Sequence, residues 1–117
     1  MPNSNPQTIV RKPLLTALLE PQKLNARVEI KQIDFVAGQC PGLHFHPGPV
    51  VGYVAAGSVL LQIEGQEART LHAGQAFFEP ASTRILRFNN ASASEPTTFI
   101  AFYLLGASEH ELIHMLE

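Results

Sequence analysis

Residues 38–57 read GQCPGLHFHPGPVVGYVAAG, and two histidines, His44 and His46, stand one residue apart within this stretch. In a β-strand, residues i and i+2 project from the same face, so the pair presents two imidazoles side by side. A neutral imidazole is a ligand for divalent transition metals. Near neutral pH the same group exchanges a proton and serves as a general acid or base. The spacing therefore fits the floor of a metal site, and equally a metal-free pocket lined by two histidines.

The elements that must carry this pair read as short strands. ARVEIKQIDF (26–35) alternates through Val28 and Ile30, then continues through Ile33 and Phe35. The change of parity between Ile30 and Ile33 predicts a bulge or two joined strands. GLHFH, VVGYVAAG, SVLLQIEG, EARTLHAG, QAFFEP, RILRFNN and TTFIAFYLLG follow, each bounded by Gly, Pro, Asn or Ser. Short strands at this spacing, with no long helix between them, predict an all-β sandwich or barrel. EGQE (64–67) reads as a hairpin connection. Two helical pieces are expected at the ends. LLTALLE (14–20) follows Pro13, a good first helical residue, and is stopped by Pro21. SEHELIHMLE (108–117) begins with Ser108 and Glu111 in a capping-box pattern and predicts a short C-terminal helix. His110 and His114 would lie four apart on it and, with no third ligand near in sequence, read as surface histidines. MPNSNPQ (1–7) reads as a frayed polar start.

Composition bounds the partners. The 117 residues fit one domain, and 45% hydrophobic against 15% charged residues can bury a core. The formal charge of −2, with no basic run, lacks the electrostatic footprint of a nucleic-acid binder. No apolar run approaches the ~20 residues of a membrane span. The single cysteine, Cys40, excludes an intrachain disulfide and suits a reducing compartment. With no signal-peptide pattern at the start, a cytoplasmic location is expected.

The spacing of two blocks carries a resemblance. Gly38 is followed by five residues, His44-x-His46, three residues, Val50, six residues and Gly57. Gly74 is followed by five residues, Pro80-x-Ser82, two residues, Ile85, three residues and Asn89. In this order they resemble the two motifs of the cupin superfamily, G-x5-H-x-H-x3–4-E-x6-G and G-x5-P-x-G-x2-H-x3-N, over roughly residues 27–105. The resemblance implies a double-stranded β-helix, or jelly-roll, barrel. The expected organisation is a single cupin domain over 1–117, with an arm at 1–20, a barrel core at about 27–106 and the helix at 108–117. It also implies a site inside the barrel mouth and a homodimer.

In metal-dependent cupins the two first-motif histidines, the first-motif glutamate and the second-motif histidine hold the ion. His44 and His46 match, but Val50 takes the glutamate position and Ile85 the second histidine position, and neither aliphatic side chain can ligate a metal. Glu79 can replace part of what is lost. In GQAFFEP (74–80), Phe77 and Glu79 share one strand face and Ala76 and Phe78 the other. The resemblance puts the residue before Pro80 in the interior, so Glu79 would face the cavity of His44 and His46. A carboxylate buried without a partner costs several kcal/mol. An inward Glu79 thus calls for a metal, a protonated histidine or a cationic ligand group, whereas a Glu79 on the solvent rim calls for none.

His44, His46 and Glu79 together make a two-histidine-one-carboxylate set, suited to Fe(II) and also to Zn, Mn or Ni. Metal-free, they make an acid–base cluster. Gln62, Phe77, Val50 and Ile85 are the candidate ligand-binding residues of the pocket. Phe99, Phe102 and Tyr103 read as core, Tyr53 as barrel wall, His72 as exposed and Asn89 as a structural turn residue. The expected ligand is a small organic molecule. The two functions left open are a metal-dependent enzyme of dioxygenase, isomerase or lyase type, and a metal-free binding or sensing module.

Overall fold

Alternation of apolar and polar residues at period two runs through most of the chain, and the strands follow it. The computed structural model describes residues 9–116, so the polar start at 1–7 lies outside the described residues. Nine strands form among the described residues: β1 (Arg27–Phe35), β2 (His44–Phe45), β3 (Val50–Ala56), β4 (Ser58–Ile63), β5 (Arg69–His72), β6 (Ala76–Glu79), β7 (Ile85–Asn90), β8 (Thr97–Leu105) and β9 (His114–Met115). They make two antiparallel sheets, ordered β1-β8-β3-β6 and β5-β4-β7-β2-β9. In β4, Val59, Leu61 and Ile63 turn inward while Leu60 and Gln62 turn out. In β3, Val50 and Val54 do the same around Gly52. These side chains meet Phe77, Ile85, Phe88 and Phe99 in one core between the sheets. Gly57, in the first motif, has φ +85° and leaves no room for a Cβ, which would sit 2.4 Å from Thr97 Oγ1. Among the described residues no helix is long and apolar enough to cross a membrane.

Three local expectations are corrected. β1 carries no bulge: its pairing with β8 runs in one register from Arg27↔Leu105 to Phe35↔Thr97. Val28 and Ile30 simply stay on the outer face, 51% and 61% exposed. The change of parity lies in β7 instead, where its pairing with β4 steps from Gln62↔Arg87 to Ile63↔Ile85. The extra residue lets both Ile85 and Phe88 point inward.

The helical turn at 14–20 is absent. A segment this short has marginal helical stability alone. Leu14, Leu15 and Leu19 instead border a groove with Val51, Phe102 and Leu104 on the outer face of the four-stranded sheet.

The C-terminal helix is also absent. Glu109 accepts from the Gly106 N–H at 2.8 Å and pairs with Lys23, and Arg27 donates to the Glu109 carbonyl at 3.0 Å. Those contacts fix a turn at 106–109. Beyond it, β9 pairs with β2 (His44↔Met115, Phe45↔His114), and Leu116 N–H donates to the Leu43 carbonyl at 3.1 Å. The open edge of β2 takes main-chain groups that a short helix would have used internally.

Candidate functional site

Six strands and three flanking loops converge on a cavity of about 240 Å³. Period-two alternation delivers the side chains. His44 is on β2 and His46 just beyond it, Phe77 and Glu79 on β6, and Phe99, Ala101 and Tyr103 on β8. His44, His46 and Glu79 are 3%, 5% and 3% exposed. The carboxylate faces inward and meets the histidine pair. The register explains why it can stand in for a glutamate at position 50, because Glu79 is the direct cross-strand partner of Val50. Side chains directly opposite across an antiparallel pair have Cβ atoms about 5 Å apart. Ile85, at the second-motif histidine position, is likewise opposite His44.

Both imidazoles are held from behind. His44 Nδ1 lies 2.8 Å from the Gly42 carbonyl, and His46 Nδ1 lies 2.8 Å from the Leu112 carbonyl. A carbonyl only accepts, so each Nδ1 carries the proton and donates, which leaves each Nε2 free for the cavity. His46 Nε2 is 3.1 Å from Glu79 Oε1. Glu79 Oε2 is buried with no hydrogen-bond partner among the described residues.

Burial holds the His44 imidazole below the ordinary histidine range, with the Gly42 carbonyl and Glu79 only partly offsetting it. Burial also pulls His46 down, but the hydrogen bond and charge of Glu79, with the Leu112 carbonyl, outweigh it and the group ends above its ordinary value. Tyr103 is pushed up to about 12, by burial first and then by the Glu79 charge. Its hydroxyl stays protonated, and the residue lines the cavity.

One ligand atom from each of His44, His46 and Glu79 lies within 4.8 Å of the others. Two Nε2 lone pairs, a carboxylate oxygen and a second carboxylate oxygen without a partner are the donor set of a divalent transition metal. The residues present fit such an ion. Their outer partners, the Gly42 and Leu112 carbonyls, are of the kind that orient metal-bound histidines.

Of the other candidates, Val50 and Phe77 line the cavity. Ile85 is fully buried in the core behind it. Gln62 is on the outward face of β4 and donates to the Gln66 carbonyl at 3.3 Å, away from the site. His114 stacks on Phe45 and contacts Glu111 at 3.1 Å, so no helical pairing with His110 exists. Tyr103 was missed as a functional group. Its signal was present in TTFIAFYLL, where Phe99, Ala101 and Tyr103 share the inward parity and only Tyr103 has a polar tip.

A jelly-roll barrel with a histidine-carboxylate cluster in its mouth defines a class of small pocket-bearing β proteins. The Cupin domain family matches residues 32–103, more than half of the chain, and the chain belongs to that family. Similar solved structures include an oxalate oxidase at 24% identity, over 76% of this chain and 46% of that chain, with a TM-score of 0.60. The DMSP lyase DddQ from Ruegeria pomeroyi DSS-3 aligns at 19% identity over 76% of this chain and 43% of that one, with a TM-score of 0.65. A cupin-like protein from Thermotoga maritima aligns at 21% identity over 76% and 64%, with a TM-score of 0.62. This chain spans less than half the length of the first two. At these identities the likeness is one of fold. No match is found among curated protein sequences.

Proposed function

We propose that this cupin holds one divalent transition metal on His44, His46 and Glu79 and acts on a small organic molecule in the adjoining cavity. The observation that carries the proposal is the buried, unpartnered Glu79 Oε2 facing two histidines whose Nδ1 atoms are already committed to carbonyls. Fe, Zn, Mn and Ni all suit the donor set. When bound, such an ion supplies Lewis acidity, polarising a substrate oxygen or activating water or O2.

The chain does the rest. The Gly42 and Leu112 carbonyls orient the imidazoles, Tyr103 donates from the wall, and the phenylalanines keep bulk water out. Oxidase and lyase chemistry, as in the oxalate oxidase and DMSP lyase neighbours, are the reaction types this arrangement favours. Elemental analysis of the purified protein checks the metal, with about one ion per chain expected. Protein that carries no transition metal and takes up none on dialysis would overturn the proposal.

A second reading has its own observation. The 3.1 Å His46 Nε2–Glu79 Oε1 contact can be bridged by a proton, which gives a metal-free acid–base or binding pocket. We also propose a homodimer. Leu14, Leu18, Val28 and Ile30 are 54%, 69%, 51% and 61% exposed on the arm and β1, apolar surface that a second copy would cover. The lone exposed thiol, Cys40, fits a cytoplasmic setting.

A further inference from the structure

Resting on the metal assignment above, we propose that the cavity selects small, largely hydrocarbon molecules bearing a single anionic oxygen group, and that Tyr103 is the residue that fixes that group beside the metal site. Charge is the first reason. Histidines ligate as neutral groups, so a divalent ion with the Glu79 carboxylate leaves one positive charge unmatched. Among the described residues, no lysine or arginine lines the cavity. One negative charge on the ligand neutralises the buried site, whereas a second would enter low-dielectric surroundings with nothing to pair it.

The distribution of polar atoms is the second reason. Beyond the three proposed ligands, the Tyr103 hydroxyl is the one further polar side-chain group of the lining among the described residues. His46 and Tyr103 have ring centroids 5.8 Å apart, so the tyrosine ring stands at the same end of the cavity as the ligands. There its hydroxyl can donate to an anionic oxygen, a charge-assisted bond roughly twice as strong as a neutral one. Elsewhere the lining includes a wall of Phe35, Phe77, Phe88 and Phe99, packed on one another with centroids 4.7–6.3 Å apart. That wall offers nothing to the hydroxyls of a sugar or to a second carboxylate.

Size is the third reason. About 240 Å³ falls below the ~300–1,000 Å³ of pockets for drug-sized ligands. A dicarboxylate of oxalate's kind carries one charge more than the site matches, so the likeness to an oxalate oxidase does not extend to this ligand class.

The full chain loaded with Co(II) provides the test, because the visible absorption of the ion reports metal binding separately from ligand binding. Benzoate, terephthalate and benzamide share a ring and differ in charge. Titration calorimetry should show benzoate binding at least about tenfold more tightly than either of the others, with a shift of the Co(II) bands. Tyr103→Phe, which keeps the ring, should weaken benzoate by about tenfold and leave Co(II) uptake unchanged. Co(II) bands that develop normally while terephthalate or benzamide binds as well as benzoate would overturn the ligand class and leave the metal centre standing. Equal benzoate affinity in Tyr103→Phe would overturn the role of the tyrosine. Failure of the Co(II) bands to appear would overturn the metal centre itself, and the charge count with it.

Discussion

Asn90 and Thr97 are as deeply buried as His46 and Glu79, at 6% and 1% exposed against 5% and 3%. The two clusters differ in how their hydrogen bonds close. Asn90 Nδ2 donates to the Val36 and Glu95 carbonyls at 3.0 and 2.8 Å, and its Oδ1 accepts from the Ser92 N–H at 2.9 Å. The Thr97 hydroxyl accepts from the Ser58 N–H at 3.0 Å and places its own proton between the Ser58 carbonyl and Asn90 Oδ1. Every polar atom there has a partner within the chain. In the other cluster, Glu79 Oε2 has none and each imidazole keeps one nitrogen for the cavity. Buried polar groups in folded proteins are overwhelmingly paired. A closed cluster is therefore a structural clasp, and an open one, walled by side chains that could have been apolar, is the arrangement that the proposed metal site calls for.

The same substitution at both places should break the comparison most visibly. Glu79→Leu removes the carboxylate and should weaken transition-metal binding by more than about a hundredfold, beyond the 10–100-fold typical of losing an outer-sphere partner. In metal-free protein above the raised His46 value, where that imidazole is already neutral and no proton-bridged pair is left to lose, it should cost little, since the buried carboxylate is gone. Asn90→Leu should do the reverse. It takes the Asn90 side chain away from the Ser92 N–H and the Glu95 carbonyl, so thermal or urea unfolding should show a loss of about 3 kcal/mol, with metal affinity unchanged. Equal stability losses in the two variants would mean that the Glu79 cluster is structural after all.

A smaller effect sharpens the contrast through pH. In metal-free protein His46 titrates above its ordinary value of 6.5 because Glu79 holds its proton. A metal must displace that proton, so affinity should climb by about tenfold per pH unit up to the raised value and then level off. The stability carried by the proton-bridged pair runs the opposite way. It is fully present below pH 6.5 and is lost as pH rises through the raised value. His44, held below 6.5 by burial, costs stability only as pH falls beneath 6.5. The two histidines together should therefore make metal-free stability peak near pH 6.5, while metal binding goes on strengthening above it. Parallel metal titrations and melts across pH would separate the two curves. Affinity that does not vary above pH 6.5 would show that no proton bridges His46 and Glu79.

Much of this was legible in the chain because strand alternation is a local signal. Val59, Leu61 and Ile63 turn inward as their spacing requires, and Phe77 with Glu79 does the same. The histidine spacing placed both rings in one cavity for the same reason. What stayed hidden depends on partners far along the chain. The capping-box pattern at Ser108 is a sound local signal for a helix, but the free edge of β2 lies about 70 residues earlier and offers main-chain pairing instead. The carbonyl that fixes His46 belongs to Leu112, 66 positions away, and no motif encodes a backbone oxygen. Likewise β1 kept one register because the long strand β8 pairs with all nine of its residues, whatever the parity of its own apolar side chains.

The mildest prediction concerns the turn that joins the site to the rest of the barrel. Where the family motif has glycine, this chain has Ser82, held at φ 58° in the left-handed region. Its N–H donates to the His46 carbonyl at 2.8 Å. For an L-residue that conformation costs about 1–2 kcal/mol. Glycine adopts it without strain but adds unfolded-state freedom that takes back about 0.5–1 kcal/mol. Ser82→Gly should thus stabilise the protein by about 0.5–1 kcal/mol net, a rise of roughly 3–5 °C in Tm. Because either residue supplies the same N–H to His46, metal affinity should not move. A variant that gains the stability and also loses metal would show that Ser82 belongs to the open cluster through its side chain, whereas an unchanged affinity assigns the turn, like Asn90 and Thr97, to the closed framework.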